Sequence, residues 1–338
     1  MHYNRVSLLS VAYADAPDRV STEQIEEKLE PVFRRLGVPQ NFLSRVTGVH
    51  ARRFWEHGTK PSQAATLAGV RALARADVDP DRIDLLINTS VSRDYVEPSV
   101  ACFVHRNLAL PAHCMTFDVA NACVGFLNGI QIAASMIDHG HVDYALVVDG
   151  EGARDAIDRT IETLLSPDCD IDRFKLSFAT LTLGSGAAAM VIANADKAGA
   201  GHRIVGSLTL SATEHNELCL GRDNHMQTDA AGLMTAGMSL AERAYPAFLE
   251  EFGYQTDEID QFIIHQVSRP HTEGVIKRLN WDEHKVYRLF PEYGNIGPAG
   301  MPTALGKVED RGAIARGQTI ALMGIGSGLT CTTIPIEW

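Results

Sequence analysis

Short apolar runs alternate with longer helical stretches along the chain. The runs 85–87 and 262–264 consist wholly of apolar residues, which is typical of strands buried on both faces of a parallel sheet. A stretch with helical character precedes each run. Further mainly apolar runs, at 144–148 and 319–323, predict two more buried strands. Helices that alternate with short buried strands predict α/β architecture with largely parallel sheets.

The pattern occurs twice. Residues 83–88 resemble residues 259–264, and residues 145–152 resemble residues 321–328, with the same spacing of 176 positions in both comparisons. Two matches at one spacing, with no gap between them, are improbable by chance, and the period is too long for a solenoid. The sequence therefore predicts a duplicated unit.

We accordingly predict an N-terminal half at 1–175 and a C-terminal half at 176–338. No linker or low-complexity segment separates them, so we expect one compact body. Ser21 and Gln24 form a capping box at the start of a predicted helix over 22–36. The polar stretch 154–180 breaks the symmetry of the halves and predicts a helical insertion.

Composition and charge narrow the class of protein. Of the 338 residues, 45% are apolar and 21% are charged, which is the balance of a globular protein in water. No apolar run reaches the ~18 residues of a membrane span, and the N-terminus lacks the small-residue cleavage site of a signal peptide. We therefore expect a cytoplasmic protein without integral membrane association. The net charge of −12 argues against nucleic-acid binding.

A cluster of basic residues leaves two interpretations open. Five arginines fall within twenty positions: Arg34, Arg35, Arg45, Arg52 and Arg53. They would form a patch for a phosphorylated or acidic partner if they shared one surface. A solvated face is the preferred interpretation, because charge runs usually face water.

None of the six cysteines forms a Cys-x-x-Cys pair, and no histidine pair lies nearby at zinc-finger spacing. A disulfide framework and a metal site are therefore unsupported. Cys123 alone stands at a predicted strand-to-helix turn, in Asp118-Val119-Ala120-Asn121-Ala122-Cys123-Val124-Gly125. The N-terminus of the following helix favours a thiolate, the form that attacks a thioester. Local context leaves a packing cysteine equally open.

Three further segments offer candidate chemistry. His265 ends a buried run, where α/β folds place functional groups, and it would assist a nucleophile or donate to a carbonyl. Asn295 lies in a Gly-Asn-x-Gly-Pro turn, where its amide would donate to an oxyanion. As isolated residues, both are more often structural. The turn at 324–328 is glycine-rich but lacks the Lys-Ser or Lys-Thr of a P-loop, so we predict no nucleotide cofactor.

Together these residues resemble the thiolase superfamily, and in particular its 3-oxoacyl-(acyl-carrier-protein) synthase III branch. The frame at 45–49, Arg-Val-Thr-Gly-Val, and the Pro-Ser-Val-Ala at 98–101 carry the same resemblance, which extends over essentially the whole chain. It implies two pseudo-duplicated α/β halves that form a five-layered αβαβα thiolase fold. It also implies a catalytic triad of Cys123, His265 and Asn295.

The resemblance assigns further roles. Backbone N–H groups of Ser327 and Cys123 are expected to form the oxyanion hole. Arg45, Arg52 and Arg269 are expected to bind substrate or coenzyme A, which enters as part of the substrate, so no separate cofactor is expected.

One subgroup matches more closely: the head-to-head acyl-CoA condensing enzymes of long-chain olefin biosynthesis. The stretches 88–99, 114–123 and 265–271 resemble it, and Val267-Ser268 stands where ordinary synthases have Ala-Asn. The resemblance implies a homodimer in which Glu97 of one subunit acts as the base in the other. Malonyl donors lose carbon dioxide and need no base, whereas plain acyl-CoA donors must lose an α-proton.

The expected reaction is a non-decarboxylative Claisen condensation of two fatty acyl-CoAs, through an acyl-cysteine, to a 2-alkyl-3-oxoalkanoic acid. Other enzymes of olefin biosynthesis are possible partners. One alternative is a synthase that decarboxylates malonyl-(acyl carrier protein) in fatty-acid or polyketide synthesis. Another is a non-catalytic partner subunit of thiolase fold, against which the intact triad argues.

Overall fold

The computed structural model describes residues 1–199, 201–222 and 225–338. This part of the chain forms fourteen strands and twelve α-helices. The strands are β1 Val6–Asp15, β2 Asp18–Ser21, β3 Ala51–Phe54, β4 Leu85–Asn88, β5 Met115–Asp118, β6 Tyr144–Glu151, β7 Gly186–Asn194, β8 His202–Ile204, β9 Leu208–Ser211, β10 Cys219–Arg222, β11 His225–Thr228, β12 Gln261–Ile264, β13 Thr319–Gly326 and β14 Thr330–Glu337. The helices are α1 Thr22–Leu36, α2 Phe42–Thr47, α3 Pro61–Ala76, α4 Val100–Asn107, α5 Gly125–Asp138, α6 Arg154–Leu165, α7 Ile171–Ser177, α8 Ala195–Ala198, α9 Ala230–Phe252, α10 Arg269–Arg278, α11 Phe290–Tyr293 and α12 Gly300–Asp310.

Ten strands form one continuous sheet in the order β12-β13-β14-β8-β1-β7-β6-β4-β5, with β9 beside β14. The pairs β4–β5, β4–β6 and β12–β13 are parallel, as the apolar runs predict, and the central pairs are antiparallel. Strands β4 and β6 of the first half correspond to β12 and β13 of the second. The predicted repeat therefore corresponds to the parallel strand pairs at the two ends of the sheet, β4–β6 and β12–β13.

Side chains alternate between the two faces of each strand, which divides the core into layers. In β4, Leu85 and Ile87 point to a central cluster, whereas Leu86 points to an outer one. The central cluster includes Phe126 of α5 and Leu305 of α12, packed between the two halves of the sheet. Helix α5 is apolar on nearly all sides because it is buried in this central cluster.

The outer clusters complete the arrangement. Helices α3 and α4 cover the outer face of the first half, and α9 and α10 cover that of the second. The order helix, sheet, helix, sheet, helix is the five-layered thiolase fold that the sequence predicts. A fourth cluster joins α1 to the insertion formed by α6 and α7.

Several local predictions can be compared with the structure. The capping box of Ser21 and Gln24 is present at the start of α1, and residues 154–180 are largely helical. Strand β7 lies beyond the predicted boundary at 176, yet it pairs with β1 and β6 and so belongs with the first-half sheet. The predicted strand at 319–323 is present, extends to Gly326 and forms a hairpin with β14. Among the described helices, none has the length and apolar character that crossing a membrane requires.

Candidate active site

Cys123 lies between β5 and α5, in a short 3-10 turn that spans Ala122–Val124. Ala122 adopts a positive φ of 45°, which costs a non-glycine residue of this kind about 1–3 kcal/mol and marks a tightly held turn. On one side of the turn, the Asn121 side chain donates to Asn128 of α5 at 2.7 Å. Cys123 is therefore presented at a sharp strand-to-helix turn, as predicted.

The protonation state of Cys123 differs from the sequence-based expectation. Burial, together with the nearby Cys219 and the carboxyl groups of Glu151 and Asp149, raises the pKa of the thiol to about 12, against an opposing effect of the backbone N–H of Cys123. The expectation of a stabilised thiolate is wrong for the unliganded protein, because the cost of burying the charge exceeds the stabilisation at the helix start. The free protein holds a neutral thiol.

His265 follows the last residue of β12 and is buried, with 4% of its surface exposed. Its backbone N–H donates to the carbonyl of Met323 at 3.1 Å, which fixes the residue against β13. Burial, assisted by the neighbouring His271, lowers the pKa of His265 to about 3. The imidazole is consequently neutral near pH 7, and its N–H can donate to a carbonyl oxygen without acting as a strong acid.

Asn295 is held by three hydrogen bonds to backbone groups of neighbouring segments. Its N–H donates to Thr182 at 2.9 Å, its carbonyl accepts from Gly184 at 2.8 Å, and its side-chain oxygen accepts from the N–H of Gly297 at 2.9 Å. Because the oxygen end of the amide is occupied, the NH₂ end is the one available to a ligand. This is the orientation that a donor to an oxyanion requires.

The turn with Ser327 connects β13 to β14 beside the Cys123 turn. A Cβ on Gly326 would lie 3.2 Å from the backbone nitrogen of Val124 and 3.3 Å from the carbonyl of Asn121. The 3-10 turn at Cys123 also contacts the Gly297–Ala299 turn that follows Asn295. The segments that carry Ser327 and Asn295 therefore lie against the Cys123 turn.

Glu97 lies on the exposed segment 91–99, which we name the 91–99 loop. The adjacent Val96 is 84% exposed, and Val91 and Tyr95 are each 51% exposed. The end of the loop is fixed by Asp118, whose carboxylate accepts from the N–H of Val100 at 2.9 Å. Glu97 is exposed in this chain and does not lie in a buried base site.

The predicted basic residues do not form one surface. Arg52 is 1% exposed and donates to Thr22 and to the carbonyl of Leu181, and burial lowers its pKa to about 10. This placement makes Arg52 a structural residue and argues against its predicted contact with coenzyme A. Arg45 and Arg269 are exposed on neighbouring helices, α2 and α10, where Arg269 packs over Gly48.

The other three arginines of the sequence cluster are also dispersed. Arg34 pairs with Glu30, Arg35 donates to the carbonyls of Leu164 and Ser166, and Arg53 donates to the carbonyl of Ala16. The solvated-face interpretation is closer to this arrangement than a shared binding patch.

Sequence reasoning missed two carboxyl groups and one histidine. Asp149 and Glu151 are both buried on β6, near enough to raise the pKa of Cys123, and the charge of Glu151 raises the pKa of Asp149. Two acids spaced two apart in an apolar strand share one face, and this signal was available in the sequence. His271 lies 6.3 Å from His265 between ring centroids, and burial lowers its pKa to about 4.

Comparisons with known proteins agree with this arrangement. Models of the 3-oxoacyl-[acyl-carrier-protein] synthase III family and of its C-terminal part match residues 117–211 and 249–338. The acyl-CoA:acyl-CoA alkyltransferase of Xanthomonas campestris pv. campestris is 46% identical over 338 residues, and the enzyme of that name from Shewanella oneidensis is 33% identical over 354 residues; both alignments cover 100% of each chain. A crystal structure of Xanthomonas campestris OleA with bound lauric acid and lauroyl-CoA superposes with a TM-score of 0.98 at 46% identity, covering 99% of this chain and 100% of that chain.

Proposed function

The chain belongs to the 3-oxoacyl-[acyl-carrier-protein] synthase III family, among its acyl-CoA:acyl-CoA alkyltransferases, and on this premise we propose that it joins two fatty acyl-CoA molecules head to head. The reaction is a non-decarboxylative Claisen condensation, the first step of long-chain olefin biosynthesis. The observation that carries the assignment to these residues is the convergence of the Asn295 and Ser327 segments on the turn of Cys123.

In the first half-reaction, the sulfur of Cys123 attacks the carbonyl carbon of one acyl-CoA. Backbone N–H groups of Cys123 and Ser327 stabilise the oxyanion, and the bond to the coenzyme sulfur breaks. Cys123 and His265 are both neutral before the reaction, so the proton of the Cys123 thiol is transferred to the sulfur of the leaving coenzyme A. Coenzyme A therefore leaves as a thiol. The product is an acyl-cysteine.

In the second half-reaction, Glu97 of the partner subunit removes the α-proton of a second acyl-CoA. The neutral His265 and the NH₂ of Asn295 donate to the resulting enolate oxygen. The α-carbon attacks the acyl-cysteine, a C–C bond forms, and the C–S bond to Cys123 breaks. The leaving sulfur takes up a proton equivalent to the one that Glu97 removed, which restores the neutral thiol and the carboxylate. Hydrolysis of the 2-alkyl-3-oxo thioester gives the β-keto acid. No cofactor beyond coenzyme A is needed for these steps.

The requirement for a partner subunit is supported by the surface around Glu97. Strand β5 ends the ten-stranded sheet with an unpaired edge, and its Met115 is 44% exposed. Exposed edges and exposed apolar side chains are features that proteins cover by association. Pairing of β5 with its copy would extend the sheet and cover the apolar side chains beside Glu97. We propose a cytoplasmic homodimer, in keeping with six free cysteines.

Arg45 and Arg269 are the exposed cations best placed to meet the phosphates of coenzyme A. They stand on neighbouring helices at one surface, and Arg269 follows His265 by four positions in the chain. Paired guanidinium groups bind phosphate oxygens through several directed hydrogen bonds.

Mass spectrometry of the products from one pure acyl-CoA tests the proposed function. A β-keto acid of doubled chain length, or the ketone formed from it by loss of carbon dioxide, is the expected product, without any malonyl thioester. Product formed only when malonyl thioester is supplied would favour the decarboxylating synthase. A protein that neither acylates Cys123 nor forms product would favour the non-catalytic partner subunit.

A further inference from the structure

Glu151 is a buried carboxylate at the end of β6 with an unusual set of partners. One oxygen accepts from the N–H of Val91 at 2.6 Å. The other accepts from the hydroxyl of Ser92 at 2.6 Å and from its N–H at 3.2 Å. All three donors lie at the start of the 91–99 loop. The carboxylate thus fixes the position from which that loop leaves the body of the subunit.

The opposite side of the same carboxylate faces the Asn295 segment. A Cβ on Gly297 would lie 3.5 Å from the carboxyl carbon of Glu151, and the N–H of Gly297 donates to Asn295. The backbone of Glu151 is fixed as well, since its carbonyl accepts from the indole N–H of Trp55 at 2.9 Å. Glu151 is therefore enclosed between the segment of one catalytic residue and the loop that carries another.

The hydrogen-bond pattern places the negative charge of this region on Glu151. Among the described residues, one oxygen of the neighbouring Asp149 finds no partner, and its other oxygen lies 2.6 Å from the hydroxyl of Thr89. That hydroxyl also lies 3.2 Å from the carbonyl of Val148, to which it can donate if Asp149 is protonated. Two adjacent buried carboxyls do not both ionise readily, and the one with three donors keeps the charge.

The direction of the pKa shifts agrees with this assignment. Burial and the charge of Glu151 raise the pKa of Asp149 well above its ordinary value. Burial raises the pKa of Glu151 to about 7, against the lowering effect of Ser92 and Val91. A charge held at such a cost in a protein interior needs donors that compensate it, and here all of them belong to the 91–99 loop.

We propose that Glu151 is a positioning residue for the partner's active site: it holds the start of the 91–99 loop and thereby places Glu97 against the α-carbon of the acyl-CoA bound in the other subunit. This inference rests on the proposed function, in which Glu97 acts across the dimer. Glu151 itself touches neither substrate. Its loss should impair proton removal in the partner while the acylation of Cys123 continues.

Mixed dimers purified through two different affinity tags separate this role from a general structural one. In the first dimer, one chain carries Glu151→Gln and the other carries Cys123→Ala. The only Cys123 is then in the chain with Glu151→Gln, and the Glu97 that acts on its substrate comes from the other chain, whose Glu151 is intact. In the second dimer, one chain is wild type and the other carries both substitutions. The only Cys123 is then in the wild-type chain, and the Glu97 that acts on its substrate comes from the chain with Glu151→Gln.

The first dimer should condense acyl-CoA at about the rate of a reference dimer of wild type and Cys123→Ala. The second should be slower by about tenfold to a hundredfold, because a displacement of about 1 Å at a reacting group costs up to about 10² in rate. Release of the first equivalent of coenzyme A should not slow in either dimer, because loss of the Glu151 charge lowers the pKa of Cys123 and therefore does not hinder its acylation. Equal rates in the two arrangements, or a loss confined to the first, would overturn the proposal.

Control variants distinguish the proposed role of Glu151 from misfolding. They also test separately the premise that Glu97 acts across the dimer. Glu162→Gln, on the exposed face of α6, should leave both arrangements equal. Ser92→Ala removes one donor and keeps the carboxylate, and should give a weaker loss in the same direction. Glu97→Gln, placed in the same two arrangements, tests the premise. If it shows no directional difference, the action of Glu97 across the dimer is wrong and this inference falls with it. If it does and Glu151→Gln does not, this inference alone is wrong.

Discussion

Titration of Cys123 in the unliganded protein is the most direct test of the electrostatics of the site. Burial raises the pKa of the thiol from its ordinary 9.0 to about 12. At about pH 8, a thiol of ordinary pKa is ionised in about one molecule in ten, and Cys123 in about one in 10⁴. The reactive thiolate is therefore about 10³-fold less populated than at an ordinary cysteine.

Part of this loss is recovered, because thiolates of higher pKa are stronger nucleophiles. A Brønsted coefficient of about 0.4–0.5 over three pKa units returns about 15- to 30-fold. The net expectation is a reaction about 30- to 60-fold slower than that of an ordinary thiol, before any effect of limited access. Since the pKa lies far above neutrality, the rate should increase about tenfold with each pH unit over the whole measurable range.

The assay is reaction with dithiodipyridine between about pH 6 and about pH 10, quenched with acid and quantified at Cys123 by peptide mass spectrometry. Cys102, which is exposed, reports the activity of the reagent in the same samples. A linear rise in log rate confirms the neutral thiol. A plateau between about pH 6 and pH 8 would show that the helix start outweighs burial, and the reasoning from desolvation would be refuted.

Three further predictions follow from the geometry. Glu97→Gln should release the first coenzyme A normally yet lower product formation by about 10²–10⁴, whereas Glu97→Asp should keep part of the activity; a condensation rate equal to wild type in Glu97→Gln would place the base elsewhere. Sedimentation at micromolar concentration should show a dimer, and Met115→Arg at the edge of β5 should weaken it; a fully active monomer would contradict the proposed assembly. Gly150→Ala should lower the free energy of unfolding by about 3 kcal/mol, because its Cβ would lie 2.2 Å from the carbonyl of Pro61, whereas Gly152→Ala, which meets no neighbour, should have little effect in the same denaturant titration.

Much of the fold could be predicted from the sequence because its signals are local or periodic. Buried parallel strands are continuous apolar runs, and the repeat at one fixed spacing identifies two related halves. The boundary at residue 176 stays a prediction from the repeat, and strand β7, which lies beyond it, pairs with β1 and β6. Pairing between distant strands leaves no mark in the local pattern at residues 186–194.

The candidate site was predictable where a residue type coincided with a recognisable turn, as at Cys123 and Asn295. Its electrostatics were not, because desolvation depends on how distant segments pack. The same limit explains Arg52, which was expected at a binding surface and is buried. The spacing of Asp149 and Glu151 was visible in the sequence, but the hydrogen bonds of Glu151 were not, because its three donors lie about sixty positions away in the chain.

Burial lowers the pKa of His265 and raises the pKa of Cys123, so both groups are neutral when the second acyl-CoA reacts. The second half-reaction forms a carbanion beside both residues, and an imidazolium there would be an acid able to protonate it. A neutral imidazole still donates a hydrogen bond to the enolate oxygen but gives up its proton far less readily. Burial that keeps His265 neutral therefore protects the intermediate, at the cost of the ion pair that would have activated Cys123. An enzyme that condensed malonyl donors could tolerate an acidic group more easily, since loss of carbon dioxide drives carbanion formation. A substrate without that driving force favours neutral donors at the enolate and a separate carboxylate base, the role that we propose for Glu97.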